Sequence, residues 1–66
     1  MKNNLPERRL ERGWTQADLA TVLGVSRQTV ISIERGRFDP SLPLAFQIAQ
    51  TFSCRIEEVF TAAGEV

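Results

Sequence analysis

Arg27, Gln28, Ser32 and Arg35 are the residues of this chain whose types and spacing suit chemistry at a partner surface. At about 100° of turn per residue, Gln28, Ser32 and Arg35 share one face of a helix while Val30 and Ile33 share the opposite one. Arg27, Gln28 and Thr29 fall in the first turn, where side chains and unpaired backbone N–H groups both project forward. Such an end suits the major groove of DNA, where Arg pairs with guanine and Gln with adenine, each through two hydrogen bonds. This is recognition chemistry. Catalysis and metal binding lack their parts: the chain has no histidine and one cysteine, Cys54, so a zinc site, a His-based catalytic constellation and an internal disulfide are all excluded. Cys54, beside Phe52 and Ile56, reads as a buried structural thiol.

Two short helix patterns joined by a tight turn position these side chains, over Thr15 to Gly36. Thr15 is a good N-cap with Asp18 three residues on, and Leu19, Ala20, Val22 and Leu23 follow at helical spacing. Gly24 supplies the left-handed residue that stops this helix, which therefore runs roughly from Gln16 to Leu23. Val25 is a buried turn residue, Ser26 caps the second helix, and Gly36 ends it.

The outer parts of the chain read as follows. Met1 to Asn4 is a polar, frayed start, and Leu5-Pro6 opens a helix to about Arg12 with Leu5 and Leu10 as its core residues. Arg8, Arg9 and Arg12 lie there among Glu7 and Glu11, either as a solvated face or with Arg9 or Arg12 touching a phosphate or an acidic neighbour. Gly13 closes the helix and Trp14 is a core plug. Arg37 to Ser41 forms a loop anchored by Phe38, and Leu44, Ala45, Ile48, Ala49 and Phe52 make the clearest amphipathic stripe. After the break at Ser53-Cys54-Arg55, a short closing helix carries Ile56, Val59 and Phe60, and residues 61–66 form a mobile tail. No strand-type alternation or internal repeat appears, so five short helices account for the chain.

Composition bounds the alternatives. With 66 residues the chain makes one domain, residues 1–66 with a core of about 5–60, near the lower size limit for folding alone. No apolar run approaches the ~20 residues of a membrane span, and no signal peptide precedes the first helix, which points to a cytoplasmic protein. Eight basic and eight acidic residues cancel, but unevenly: residues 1–23 carry +1, residues 24–38 carry +2 and residues 39–66 carry −3. A zero total thus conceals a dipole with its basic end at the helix pair.

TQADLA, LGVSRQTV, IERG, DPSLPLAFQIA and IEEVF together resemble the phage repressor and Cro type of helix-turn-helix, the XRE family, over about Leu5 to Phe60. The resemblance is to its small stand-alone regulators. It implies an all-α, five-helix bundle of the lambda-repressor type, with the second helix crossing the phosphate backbone and the third in the major groove, usually as a homodimer on a two-fold operator. It further implies that Gln16 holds a phosphate and braces Gln28, and that Arg27, Gln28 and Ser32 face base edges with Thr29 beside them. Arg35 and Arg37 then meet phosphates, and Glu34 makes an internal pair, with Arg9 as the candidate. An equal reading assigns Arg27 to a phosphate, Ser32 to a spacer, Thr29 to helix stabilisation and Arg37 to a solvated loop. Ile31 meets a thymine methyl or is covered by a neighbour.

The expectation is a sequence-specific regulator of transcription that binds double-stranded DNA, a repressor on a short inverted repeat, with no cofactor, small-molecule ligand or enzymatic activity. Ile56, Val59 and Phe60 are its expected dimer surface. The competing reading is an antitoxin-like interaction module that binds DNA only for autoregulation.

Overall fold

The computed structural model describes residues 1–61 and contains five helices: α1 (Leu5–Glu11), α2 (Gln16–Leu23), α3 (Arg27–Glu34), α4 (Leu42–Thr51) and α5 (Ile56–Val59). Two-residue strands β1 (Lys2–Asn3) and β2 (Phe60–Thr61) pair antiparallel, Lys2 opposite Thr61 and Asn3 opposite Phe60. Leu5, Leu19, Val30, Ile33 and Ile48 are fully buried and bring α1 to α4 onto one core, which Phe52, Val59 and Phe60 complete.

The caps follow the local sequence. Thr15 and Asp18 form a reciprocal capping box at α2, while Ser26 and Ser41 each accept a backbone N–H three residues on, at α3 and α4. Helices α1 to α4 all end in one pattern, a left-handed residue whose N–H and its successor's N–H reach back to the last turn. Glycine fills that position three times, and Gly36 has a second reason, since a Cβ there would stand 3.1 Å from the Met1 carbonyl oxygen. The fourth, after α4, is Ser53 at φ 53°, with Ser53 N donating to Gln50 O at 3.1 Å and Cys54 N to Ala49 O at 3.0 Å. A side chain in this region costs energy that glycine avoids, partly offset by glycine's larger entropy loss. Ser53→Gly is therefore expected to stabilise the fold by about 0.5–1 kcal/mol, read as a higher urea midpoint at unchanged slope.

Several expectations change. The start of the chain is docked rather than frayed: Asn3 Nδ2 donates to Ile33 O at 2.8 Å and Asn3 Oδ1 accepts from Leu5 N at 3.0 Å. Asn4 N donates to Val59 O at 3.0 Å and Asn4 Nδ2 to Glu58 O at 2.9 Å, and the Met1 nitrogen lies 3.3 Å from Asp39 Oδ1. Polar side chains at fixed backbone carbonyls, rather than an alternating apolar pattern, hold this segment, so no strand periodicity announced it. Phe60 and Thr61 belong to β2, and the remainder of the expected tail, residues 62–66, lies outside the described residues.

Leu10 and Phe38 are exposed at 64% and 46%, so neither serves as the core position expected of it, and Val22 is exposed at 46%. For α1 the reason is geometric: Leu5 and Leu10 are five positions apart and diverge around the helix, leaving Leu5 alone inside. Trp14 does pack on the core, 5.8 Å from Phe52 between ring centroids, and the Arg12 guanidinium lies 5.5 Å from Trp14 and 5.3 Å from Phe52. Cys54 is half-buried rather than enclosed.

Candidate nucleic-acid interface

Helices α2 and α3 make the most extensive helix pair of the fold, joined by the turn at Gly24, whose φ of 72° lets the chain reverse between Leu23 and Ser26. Val30 and Ile33 fix the inner face of α3. Its outer face follows from that, since 3.6 residues per turn leave Arg27, Gln28 and Ser32 pointing away from the core. Arg27, Gln28 and Arg35 are exposed and Ser32 is half-buried. Arg37, just past the helix, is exposed too.

Among the described residues none of Arg27, Arg35 and Arg37 is in an ion pair; the side-chain ion pair present is Arg9 with Glu34. Three cations thus stand at the two ends of α3 with no acid attached to them. A sequence with zero net charge still presents a basic edge.

Thr29 is occupied within the helix. Its N–H donates to Ser26 Oγ at 3.1 Å and the two hydroxyls are hydrogen-bonded at 2.9 Å, which reinforces the cap. Ile31 is half-buried on the flank of α3.

Beneath this face lies a polar cluster that joins three helices. Arg9 Nε and Nη2 donate to the two Glu34 oxygens at 2.7 and 3.3 Å, a bidentate pair, and Arg9 Nη1 donates to Trp14 O at 2.9 Å. Gln16 Nε2 donates to Glu34 Oε1 at 3.1 Å. With the Arg9 and Glu34 side chains only 12% and 6% exposed, this is close to a buried ion pair and each partner depends on the other. The Arg9–Glu34 pairing matches the expectation. The expected brace from Gln16 to Gln28 is not formed: the amide is turned to Glu34, because an ionised carboxylate is a stronger acceptor than a neutral amide. One N–H of that amide stays available to an outside acceptor.

The sequence is matched over residues 7–59 by the helix-turn-helix family HTH_3. The chain belongs to the XRE-type helix-turn-helix family. Over 60 residues it is 57% identical to an uncharacterized HTH-type transcriptional regulator of Methanocaldococcus jannaschii, covering 91% of each chain. It is 47% identical to the uncharacterized HTH-type transcriptional regulator YgzD of Bacillus subtilis, again covering 91% of each. Among solved structures it resembles the restriction-modification controller protein C.AhdI of Aeromonas hydrophila, with TM-score 0.74, 32% identity and 85% of each chain covered. A hypothetical transcription factor from Neisseria superimposes with TM-score 0.75 at 27% identity, over 83% of this chain and 62% of that one. This XRE-type protein is thus a transcriptional regulator with a helix-turn-helix DNA-binding fold, and its five helices are those the family implies. No described helix is long and apolar enough to cross a membrane.

Proposed function

We propose that this regulator acts as a cytoplasmic repressor that binds a short inverted-repeat operator as a homodimer, the whole chain working as one DNA-binding domain. The supporting observation is the outer face of α3, which offers Arg27, Gln28 and Ser32 on a capped, core-anchored helix with free cations at both ends. In this reading α3 lies in the major groove, Gln28 pairs with an adenine, and Arg27 and Ser32 reach adjacent base edges or phosphates. Thr29 holds the helix start at the groove, Gln16 gives its remaining N–H to a phosphate, and Arg35 and Arg37 bind phosphates beyond the other end. The mechanism is occupancy: a bound dimer excludes polymerase from the operator.

Selection from a random duplex library, followed by binding of the winner and of scrambled DNA across a salt series, tests this. An enriched inverted repeat bound far more tightly than scrambled DNA is the expected result; enrichment of nothing by the folded protein refutes it. The same titration checks the phosphate assignments. Arg35→Ala/Arg37→Ala is expected to weaken specific and random DNA alike and to reduce the slope of log K against log salt by about 2 per protomer.

A further inference from the structure

We propose that Asn3 is a positioning residue for DNA reading: its amide fixes the end of α3 and, with it, where Arg35 and Arg37 stand relative to Gln28. This rests on the α3 reading above and adds to it a residue from outside the helix pair. Carbonyls in the last turn of a helix have no partner within it. Ile33 O has two partners: Gly36 N at 2.9 Å, which belongs to the helix stop, and Asn3 Nδ2 at 2.8 Å. Glu34 is also tethered, by Arg9 and Gln16, but through a side chain with several rotatable bonds. Asn3 holds the main chain itself.

Two contacts from the start of the chain bracket Arg35. Asn3 takes Ile33 O on one side, and on the other the Met1 carbonyl oxygen lies 3.1 Å from where a Cβ on Gly36 would stand. Arg37 N closes the stop on Ser32 O at 3.0 Å, so the backbone that carries both arginines leaves the helix along a path that β1 sets. Strand β1 can set it because it is anchored in turn. Asn3 pairs with Phe60, Asn4 N donates to Val59 O at 3.0 Å and Asn4 Nδ2 to Glu58 O at 2.9 Å. Val59 gives that support from the core, 2% exposed, and not from the dimer surface expected of it.

The consequence for DNA is one of register. Phosphate contacts place a reading helix, and base contacts read from that placement. With the end of α3 released, Arg35 and Arg37 still reach phosphates, so charge-driven binding to any duplex persists. The bases opposite Gln28 then no longer fall at a fixed offset from those phosphates. Asn3 thus acts on the preference for the operator and not on affinity for DNA in general.

Substitution separates this from a plain role in stability. Asn3 Oδ1 also accepts from Leu5 N at 3.0 Å, and a carboxylate keeps that bond while losing the donor to Ile33 O. Folded Asn3→Asp and Asn3→Ala, checked by circular dichroism, are compared with wild type on the duplex selected above and on a scrambled duplex. The ratio of the two affinities is expected to fall about three- to tenfold, the range of a single hydrogen bond. The charge added by the aspartate weakens both duplexes alike and cancels in the ratio. Amide hydrogen exchange at Gly36 and Arg37, measured without DNA, is expected to quicken in both variants relative to exchange in α2. Asn4→Ala is the control, since it loses bonds to Glu58 O and Arg8 Nε but none to α3. It is expected to lower the urea midpoint and keep the wild-type ratio. A wild-type ratio in folded Asn3→Asp and Asn3→Ala overturns the proposal and leaves the α3 reading standing, as does an Asn4→Ala ratio reduced as far as theirs. A wild type with no preference for any duplex overturns the α3 reading instead, and unchanged exchange at Gly36 and Arg37 overturns the hold of Asn3 on the helix end whatever the DNA result.

Discussion

Glu34→Ala is expected to cost about 3–5 kcal/mol of folding stability, a large share of what a domain of this size has. The carboxylate takes three hydrogen bonds, two from Arg9 and one from Gln16, and its side chain is 6% exposed. Removing it leaves the Arg9 guanidinium nearly buried with Trp14 O as its remaining acceptor. The loss far exceeds what a surface ion pair is worth because water cannot replace the missing partner. Urea denaturation of wild type, Glu34→Ala and Arg9→Met/Glu34→Leu measures it. The double variant is expected to recover most of the loss, since apolar residues of similar volume carry no desolvation penalty; a single variant within about 1 kcal/mol of wild type would mean the cluster contributes little.

Gln28→Ala has the largest expected effect on recognition itself. The residue is exposed in the first turn of α3, one position beyond Arg27 and outside the cluster that fixes the helix, so truncation leaves the fold untouched. At the selected operator it should weaken binding by about 1–3 kcal/mol and relax preference at one base pair of each half-site. Binding to random duplex should not change, because no phosphate contact is lost. Competition binding against operators altered one base pair at a time gives the answer, and an unchanged preference at every position would remove Gln28 from the reading face. The contrast with Arg35→Ala/Arg37→Ala, which acts on all sequences, separates reading from anchoring.

The central part of the fold was legible because each signal there is local. Thr15, Asp18, Gly24 and Ser26 cap and stop helices through neighbours within a few residues, and α2 runs over the expected Gln16 to Leu23. The outward face of α3 follows from Val30 and Ile33 alone. Most of the misread residues depend on distant partners. Asn3 and Asn4 look like a loose polar start until Ile33 O and Glu58 O are brought to them from 30 and 54 residues away. Gln16 turns to Glu34 across 18 residues, which no spacing within α2 implies. Phe60, expected at a dimer surface, is 7% exposed because neighbours on other elements cover it. Ser53 was missed as the left-handed stop of α4 because serine, unlike glycine, does not advertise that conformation.

The two-residue ladder between Lys2–Asn3 and Phe60–Thr61 closes residues 2–61 into a loop without a covalent link. Among the described residues the first strand is fastened to the last, and Asn3 fastens that junction to the last turn of α3 through Ile33 O. Helix α3 is therefore held at its start by its own cap and at its finish by β1. In the proposed complex little of it remains to be ordered, so its orientation is already set before the encounter and the entropy that a floppy helix would lose does not oppose association.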